Sequence, residues 1–198
     1  MEQRSEEWRK VRAGKLTASN AKTISVGGAG LKTLVFDTLA EKYALNNDEE
    51  SYMSEDMQRG VEREEQARMT YEIQYQEIEQ VGFIEVDEYV GASPDGFIGE
   101  DGGIEIKCPN NSNFFKLMVE GEDAIDKKYL WQCQMCMLVS GRKWWDLVFW
   151  NGNFENNLIV FKIVPDLSMQ EKLIVGLEKG KQLIIKLEEE YGKRTSSI

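Results

Sequence analysis

Two carboxylates and an amine, Asp95, Glu105 and Lys107, fall close together in a stretch of apolar residues punctuated by glycine and proline. In Ile104-Glu105-Ile106-Lys107-Cys108 the period-two alternation of a strand sends the isoleucines to one face and Glu105 with Lys107 to the other. Asp95 follows Ser93-Pro94, and the segment from Glu100 to Gly103 has the turn chemistry to fold residues 95–98 back against residues 104–107. Register decides whether the three groups meet. An Asp101-Gly102 turn would pair Ile98 with Glu105 and put Asp95 on the isoleucine face. An odd loop, Asp101-Gly102-Gly103, pairs Gly99 with Glu105 and gathers all three polar groups on one face. The odd loop is expected, with a glycine at positive φ.

Such a trio suits phosphoryl chemistry. Two hard carboxylate oxygens can hold Mg²⁺, or Mn²⁺ in its place, and leave positions open for water and phosphate oxygens. The ion would polarise phosphorus and lower the pKa of a bound water; Lys107 could orient or help deprotonate that water and neutralise the charge that develops. The bland alternative is a hairpin with solvated Asp, Glu and Lys side chains. The flanking Ser93-Pro94-Asp95-Gly96 and Lys107-Cys108-Pro109 weigh against it.

Composition narrows the rest. The 198 residues, 41% hydrophobic and 30% charged, fit a single domain over residues 1–198 with one core. No apolar run approaches the roughly 18 residues of a membrane span, and the charged N-terminus is unlike a signal peptide, so a cytoplasmic protein without a membrane partner is expected. The absence of histidine removes Ser-His and Cys-His triads and histidine general bases. Cys108, Cys133 and Cys136 include a C-x-x-C but fall one ligand short of a structural zinc site or an iron–sulfur cluster; they are expected to be reduced and mostly buried. A formal charge of −11 is awkward for a DNA-binding protein, because Lys and Arg contacts to phosphate supply most of the affinity. Basic charge is concentrated instead: residues 1–32 hold seven Lys or Arg against three acids, a net of +4 that leaves −15 on the remainder. That segment is the expected DNA-facing surface.

The elements that must position these groups can be read in order. Ser5-Glu6-Glu7-Trp8 opens like a capped helix, and Thr17-Ala18-Ser19-Asn20 starts another. Gly27-Gly28-Ala29-Gly30 reads as a flexible loop, Leu31 to Tyr43 as a core-facing helix, Asn46 to Ser54 as a loop and Met57 to Tyr71 as an acid-rich helix. Ile73 to Val86 should be strand-rich, and the central sheet should begin at Tyr89 to Ser93. Pro109 ends the strand, a loop at Asn110 to Asn113 leads to a short helix, Phe114 to Val119, and a longer helix covers Ala124 to Val139. Tyr129 and Gln132 share one face of that helix. Arg142 to Trp150 and Asn157 to Val164, separated by an Asn151-Gly152-Asn153 turn, should pair as a hairpin whose aromatics pack in a core rather than stack on bases. A long amphipathic helix over residues 168–191 ends the chain, with Lys193 to Ile198 frayed. The catalytic core so bounded covers residues 57–164.

Pro94-Asp95 with Glu105-Ile106-Lys107 resembles the PD-(D/E)XK nuclease signature. The wider Ser93-Pro94-Asp95-Gly96 and Ile104-Glu105-Ile106-Lys107-Cys108-Pro109 are similar to the bacteriophage lambda exonuclease branch, the YqaJ-type viral recombinases. Three further blocks appear in the family's order. Trp8, Arg12, Thr17, Ala18 and Ser19 resemble W-x3-R-x4-T-A-S, in which the arginine and serine contact phosphate at the 5′ end, implying that role for Arg12 and Ser19. Gly60, Glu64 and Ala67 meet G-x3-E-x2-A, implying that Glu64 brings another carboxylate to the metal. Tyr129, Gln132 and Gln134 match Y-x2-Q-x-Q, a block that supports the site.

The resemblance implies an α/β restriction-endonuclease-like core, a mixed central β-sheet flanked by helices. It implies Mg²⁺-dependent 5′→3′ hydrolysis of one strand of double-stranded DNA from an end, leaving a 3′ overhang for phage recombination, in a homotrimer ring working with a single-strand annealing protein. Asp95, Glu105, Glu64 and the Ile106 carbonyl would bind metal, two ions per site; Lys107 would serve the water; Arg12, Ser19 and Ser93 would hold phosphate, with Tyr129 and Gln132 in support. A structure- or sequence-specific endonuclease on the same core, or a non-catalytic DNA-binding protein, are the alternatives.

Overall fold

The computed structural model describes residues 3–45 and 55–196, with residues 55–62 described as backbone only. Ser5 caps α1 (Glu6–Arg12) by accepting the Trp8 N–H at 3.2 Å, as its sequence asks. A two-residue strand, β1 (Leu16–Thr17), and a short 3-10 turn lead to α2 (Ala21–Val26) and α3 (Gly28–Tyr43). Next come α4 (Glu55–Gln74), β2 (Ile84–Glu85), β3 (Val90–Ala92), β4 (Gly96–Ile98) and β5 (Gly102–Lys107). The rest comprises α5 (Asn111–Glu120), α6 (Lys127–Ser140), β6 (Trp144–Trp150), β7 (Leu158–Ile163) and α7 (Leu167–Thr195). Among the described residues no helix is long and apolar enough to cross a membrane.

The strands form two sheets. β1-β3-β2 is a small one, with β1 parallel and β2 antiparallel to β3; β4-β5-β6-β7 is the larger, with only β5 and β6 parallel. Alternation along the larger sheet sorts its residues onto two faces. Ile104 and Ile106 of β5 and Val148 and Trp150 of β6 pack with Ala67 and Tyr71 of α4. Trp145, Leu147 and Phe149 join the opposite core, built with Leu16, Ile24, Val35, Met135, Cys136, Leu173 and Ile184 from β1, α2, α3, α6 and α7. Glu105, between the two isoleucines, therefore shares the face toward α6, and α4 covers the other.

The hairpin has an odd loop, as parity requires, but it is Gly99-Glu100-Asp101 rather than Asp101-Gly102-Gly103. Gly96 pairs with Ile104 and Ile98 with Gly102, so the turn is centred two residues earlier than expected while Asp95 keeps the Glu105 face. The positive φ falls on Gly99, at +53°.

Several expectations fail for identifiable reasons. The glycines at 27–30 do not make a loop: Gly27 and Gly28 turn the chain with φ of +72° and +66°, and α3 already starts at Gly28. Ile73 to Val86 is largely irregular; α4 runs on to Gln74, Glu72 then accepts the Ile78 N–H at 2.9 Å, and only Ile84–Glu85 and a bridge from Glu79 to Phe97 are strand-like. Val90–Ala92 belongs to the small sheet, not the central one. Asn110 caps α5, making residues 111–113 its first turn. The β6–β7 hairpin forms with a longer connection than three residues. Helix α7 continues to Thr195, so residues 193–195 are helical rather than frayed. The loop expected over Asn46 to Ser54 lies outside the described residues.

Candidate active site

Glu105, 2% exposed, sits at the centre of the site. Its Oε1 accepts from Lys107 Nζ at 2.5 Å and from Gln132 Nε2 of α6 at 2.6 Å, while Oε2 is buried without a hydrogen-bond partner. Asp95, just before β4, accepts the Ile106 N–H at 2.6 Å through Oδ2. The ring of Tyr129, one turn before Gln132 on α6, lies 5.1 Å from Lys107 Nζ and rests edgewise on Phe149. Asp95, Glu105, Lys107, Tyr129 and Gln132 thus come together from the β4–β5 hairpin and α6.

The charges explain each other. Burial, then the facing Glu105 and, more weakly, Glu64 push the Asp95 carboxyl well above its usual range, although it keeps some solvent contact. Burial alone would pull the Lys107 ammonium down, but Glu105 and Asp95 outweigh it and hold it above the ordinary lysine range. Lys107 is accordingly a proton donor and a fixed positive charge in this arrangement. Burial and Glu64 push the Cys108 thiol up to about 12, so it is not a thiolate nucleophile at neutral pH.

Two opposed carboxylates with one orphaned buried oxygen are the donor set of a hard divalent cation, which would satisfy Glu105 Oε2 and relieve the repulsion on Asp95. The residues present fit that group. Glu64 stands differently: its Oε2 is 2.6 Å from Arg4 Nη2 and its Oε1 3.5 Å from Arg68 Nη2. Among the described residues, no set of three metal-ligating side chains converges.

The N-terminal block reaches the site through a contact that local sequence reading missed. Trp8 Nε1 donates to Ser93 Oγ at 2.7 Å, across 85 positions of chain, and fastens α1 beside Asp95. Arg12 lies 5.3 Å from the Trp8 ring, and its Nη2 is 3.5 Å from Thr17 Oγ1, which is itself 3.1 Å from Ser19 Oγ. Arg12 and Ser19 therefore share Thr17, and Ser93 is tied to the same block by Trp8. Gln3 and Arg4 add a second strap: the Gln3 amide donates to the Val81 and Pro94 carbonyls at 2.8 and 2.7 Å. Only the T-A-S spacing hinted at Thr17, and nothing local marked Gln3 or Arg4.

Comparison with known proteins bears on the same residues. Residues 7–143 match the family model of the YqaJ-like viral recombinase domain. No curated protein sequence matches the chain. The crystal structure of an alkaline exonuclease, LHK-Exo, from Laribacter hongkongensis superposes with a TM-score of 0.85 at 28% identity, covering 98% of each chain. Its complex with dAMP superposes equally well. A phage-related exonuclease from Haemophilus somnus shares the fold at a TM-score of 0.73 and 13% identity, over 92% of this chain and 99% of its own. By its matched residues and its fold, the chain belongs to the YqaJ-like viral recombinase domain family, the lambda exonuclease-like branch of the PD-(D/E)XK nucleases.

Proposed function

We propose that this enzyme, a DNA exonuclease by family and fold, is Mg²⁺-dependent and degrades one strand of double-stranded DNA 5′→3′ from an end, leaving a 3′ single-stranded overhang for phage-type recombination. The observation that carries the reading is the opposed pair Asp95 and Glu105, with Lys107 on the same strand face and Gln132 behind them.

Asp95, Glu105 and the Ile106 carbonyl would hold the cation, which when bound supplies Lewis-acid polarisation of the scissile phosphate and a more acidic water. A second ion requires Glu64 to leave Arg4 and Arg68. The chain's own groups do the rest. Gln132 fixes one oxygen of Glu105, and the Ile106 amide fixes one of Asp95, so neither carboxylate must reorganise when charge develops. Lys107, kept charged by its acidic neighbours, directs its protons at the attacking water and the phosphoryl oxygens. Tyr129 limits where the ammonium can swing. Arg12 and Ser19, joined through Thr17, hold the 5′ phosphate, and Ser93 sets the distance between that block and the reacting centre.

The protein would act on DNA ends in the cytoplasm of a bacterium carrying the phage or prophage, as a homotrimer ring beside a single-strand annealing protein. The deciding experiment digests linear duplex with 5′-phosphate or 5′-hydroxyl ends, and a closed circle, with Mg²⁺, using wild type and Lys107→Ala. One strand should disappear from phosphorylated ends, with circles spared and the mutant slowed by at least about a hundredfold. Cutting of circles would make it an endonuclease, and no cleavage by wild type would sink the reading.

A further inference from the structure

Beyond the catalytic strand, an open cleft of about 430 Å³ is lined by Arg63, Asn110, Asn111, Ser112 and Asn153. Among the described residues its lining offers a guanidinium, amides and a hydroxyl, and no carboxylate, in a chain whose formal charge is −11. Among the described residues Arg63 has no ion-pair partner, unlike Arg4 and Arg68, which both pair with Glu64. The amides are locked. Asn111 Oδ1 accepts from Asn151 Nδ2 at 3.0 Å and from Asn153 Nδ2 at 2.8 Å, and Asn110 Oδ1 accepts the Asn113 N–H at 2.9 Å. With both oxygens occupied, the Asn110 and Asn111 NH₂ groups are left as donors.

The scaffold beneath is rigid. Asn151, fully buried, also donates to the Pro109 carbonyl at 3.0 Å, two residues past Lys107, and accepts the Asn153 N–H at 3.0 Å. The cleft is thus bolted to the end of β5, and Arg63 adjoins Glu64 in α4. The Arg12–Thr17–Ser19 block is attached instead through Ser93 and Trp8. The two donor sets are held by different elements and can take different phosphates.

We propose that this cleft binds an internal phosphodiester of the DNA, through Arg63 and the Asn110 and Asn111 amides, separately from the terminal phosphate held at Arg12 and Ser19. This rests on the exonuclease reading of the neighbouring site. A guanidinium and amide NH₂ groups match phosphate oxygens, and pre-oriented donors lose little freedom on binding. The released mononucleotide offers the same oxygens, so the test separates the two sources.

Wild type, Arg63→Gln and Asn111→Asp are compared on 5′-phosphorylated linear duplex with Mg²⁺, at several salt concentrations and with added dAMP. Asn111→Asp keeps the acceptor for Asn151 and Asn153 while replacing the outward donor with a charge. KM should rise roughly tenfold for Arg63→Gln and more for Asn111→Asp, as expected for losing a charge-assisted hydrogen bond. The log–log salt dependence should flatten by about 0.9 in Arg63→Gln, one phosphate contact. Preference for 5′-phosphate over 5′-hydroxyl should persist, and melting temperatures should stay near wild type. Unchanged KM and salt slope, loss confined to the 5′-phosphate preference, or relief of dAMP inhibition with unchanged KM would each overturn the proposal. If wild type hydrolyses no DNA, the exonuclease reading fails by itself. The salt dependence of fluorescent-duplex binding then decides the cleft: a flatter slope in Arg63→Gln supports it, and an unchanged slope overturns it.

Discussion

Asp95 carries a stability cost that the site uses. Burial and the facing Glu105 raise its pKa, so across the interval from the ordinary carboxylate value to the raised one the folded chain keeps a proton that the unfolded chain has released. Unfolding free energy contributed by this group is greatest below that interval and declines as pH rises through it. Metal-free protein should therefore lose melting temperature as pH rises from about 4, and Mg²⁺ should restore more of it at pH 8 than at pH 5. Asp95→Asn keeps an acceptor for the Ile106 amide and removes the charge. It should melt higher than wild type without metal at neutral pH, by about 2–4 °C for each kcal/mol relieved, while losing hydrolysis. A calorimetric pH series on both proteins checks this, and an Asp95→Asn protein with unchanged or lower melting temperature would show that the carboxylate is not held at a cost.

At the scale of elements, α4 matters most, because it carries Glu64 and Arg63 and lies against the sheet face opposite Glu105. Its anchor is polar: Tyr71 Oη donates to Asp146 Oδ2 at 2.6 Å, with both residues buried and Lys162 3.5 Å from the other oxygen. Burial and Asp146 push the Tyr71 phenol up, so it remains a donor at any working pH. Tyr71→Phe leaves a buried carboxylate without that donor and should cost about 2–3 kcal/mol, read by urea titration. It should also slow hydrolysis as α4 loses its seat. How legible these elements were depended on the range of the interaction. Period-two alternation put Glu105 and Lys107 on one face, and Ser5 marked its helix, since those signals are local. Hairpin parity was readable while the loop's identity was not, because Gly99, Gly102 and Gly103 can all serve a turn and the larger sheet chooses among them. The Trp8–Ser93 and Tyr71–Asp146 bonds join residues that no periodicity relates. The family resemblance pointed to Arg12, Glu64 and Gln132, but could not say that Glu64 would be engaged by arginines.

For the whole molecule, the final helix closes the structure onto its beginning. Leu173 and Ile184 of α7 lie in the same core as Leu16, Ile24 and Leu31, and Lys42 of α3 pairs with Glu188 at 2.7 Å. The family match ends at residue 143, before β6, β7 and α7. A chain cut after Lys143 loses Trp145, Leu147 and Phe149, all buried, together with the helix that covers the N-terminal elements. That is more than a margin of about 5–15 kcal/mol can absorb. The truncated protein should show no cooperative unfolding transition by circular dichroism. A sharp transition would mean that α7 is an accessory.

The buried amide of Asn151 also governs how the protein ages. Asn-Gly is the dipeptide most prone to cyclise and deamidate when its backbone is free to bend, and Asn151 precedes Gly152. Here the side-chain amide donates to Pro109 and Asn111 and accepts from Asn153, in a place water does not reach. Deamidation at that bond would therefore record each excursion in which the β6–β7 connection opens, a slow chemical clock wound by the same contacts that hold the cleft beside β5.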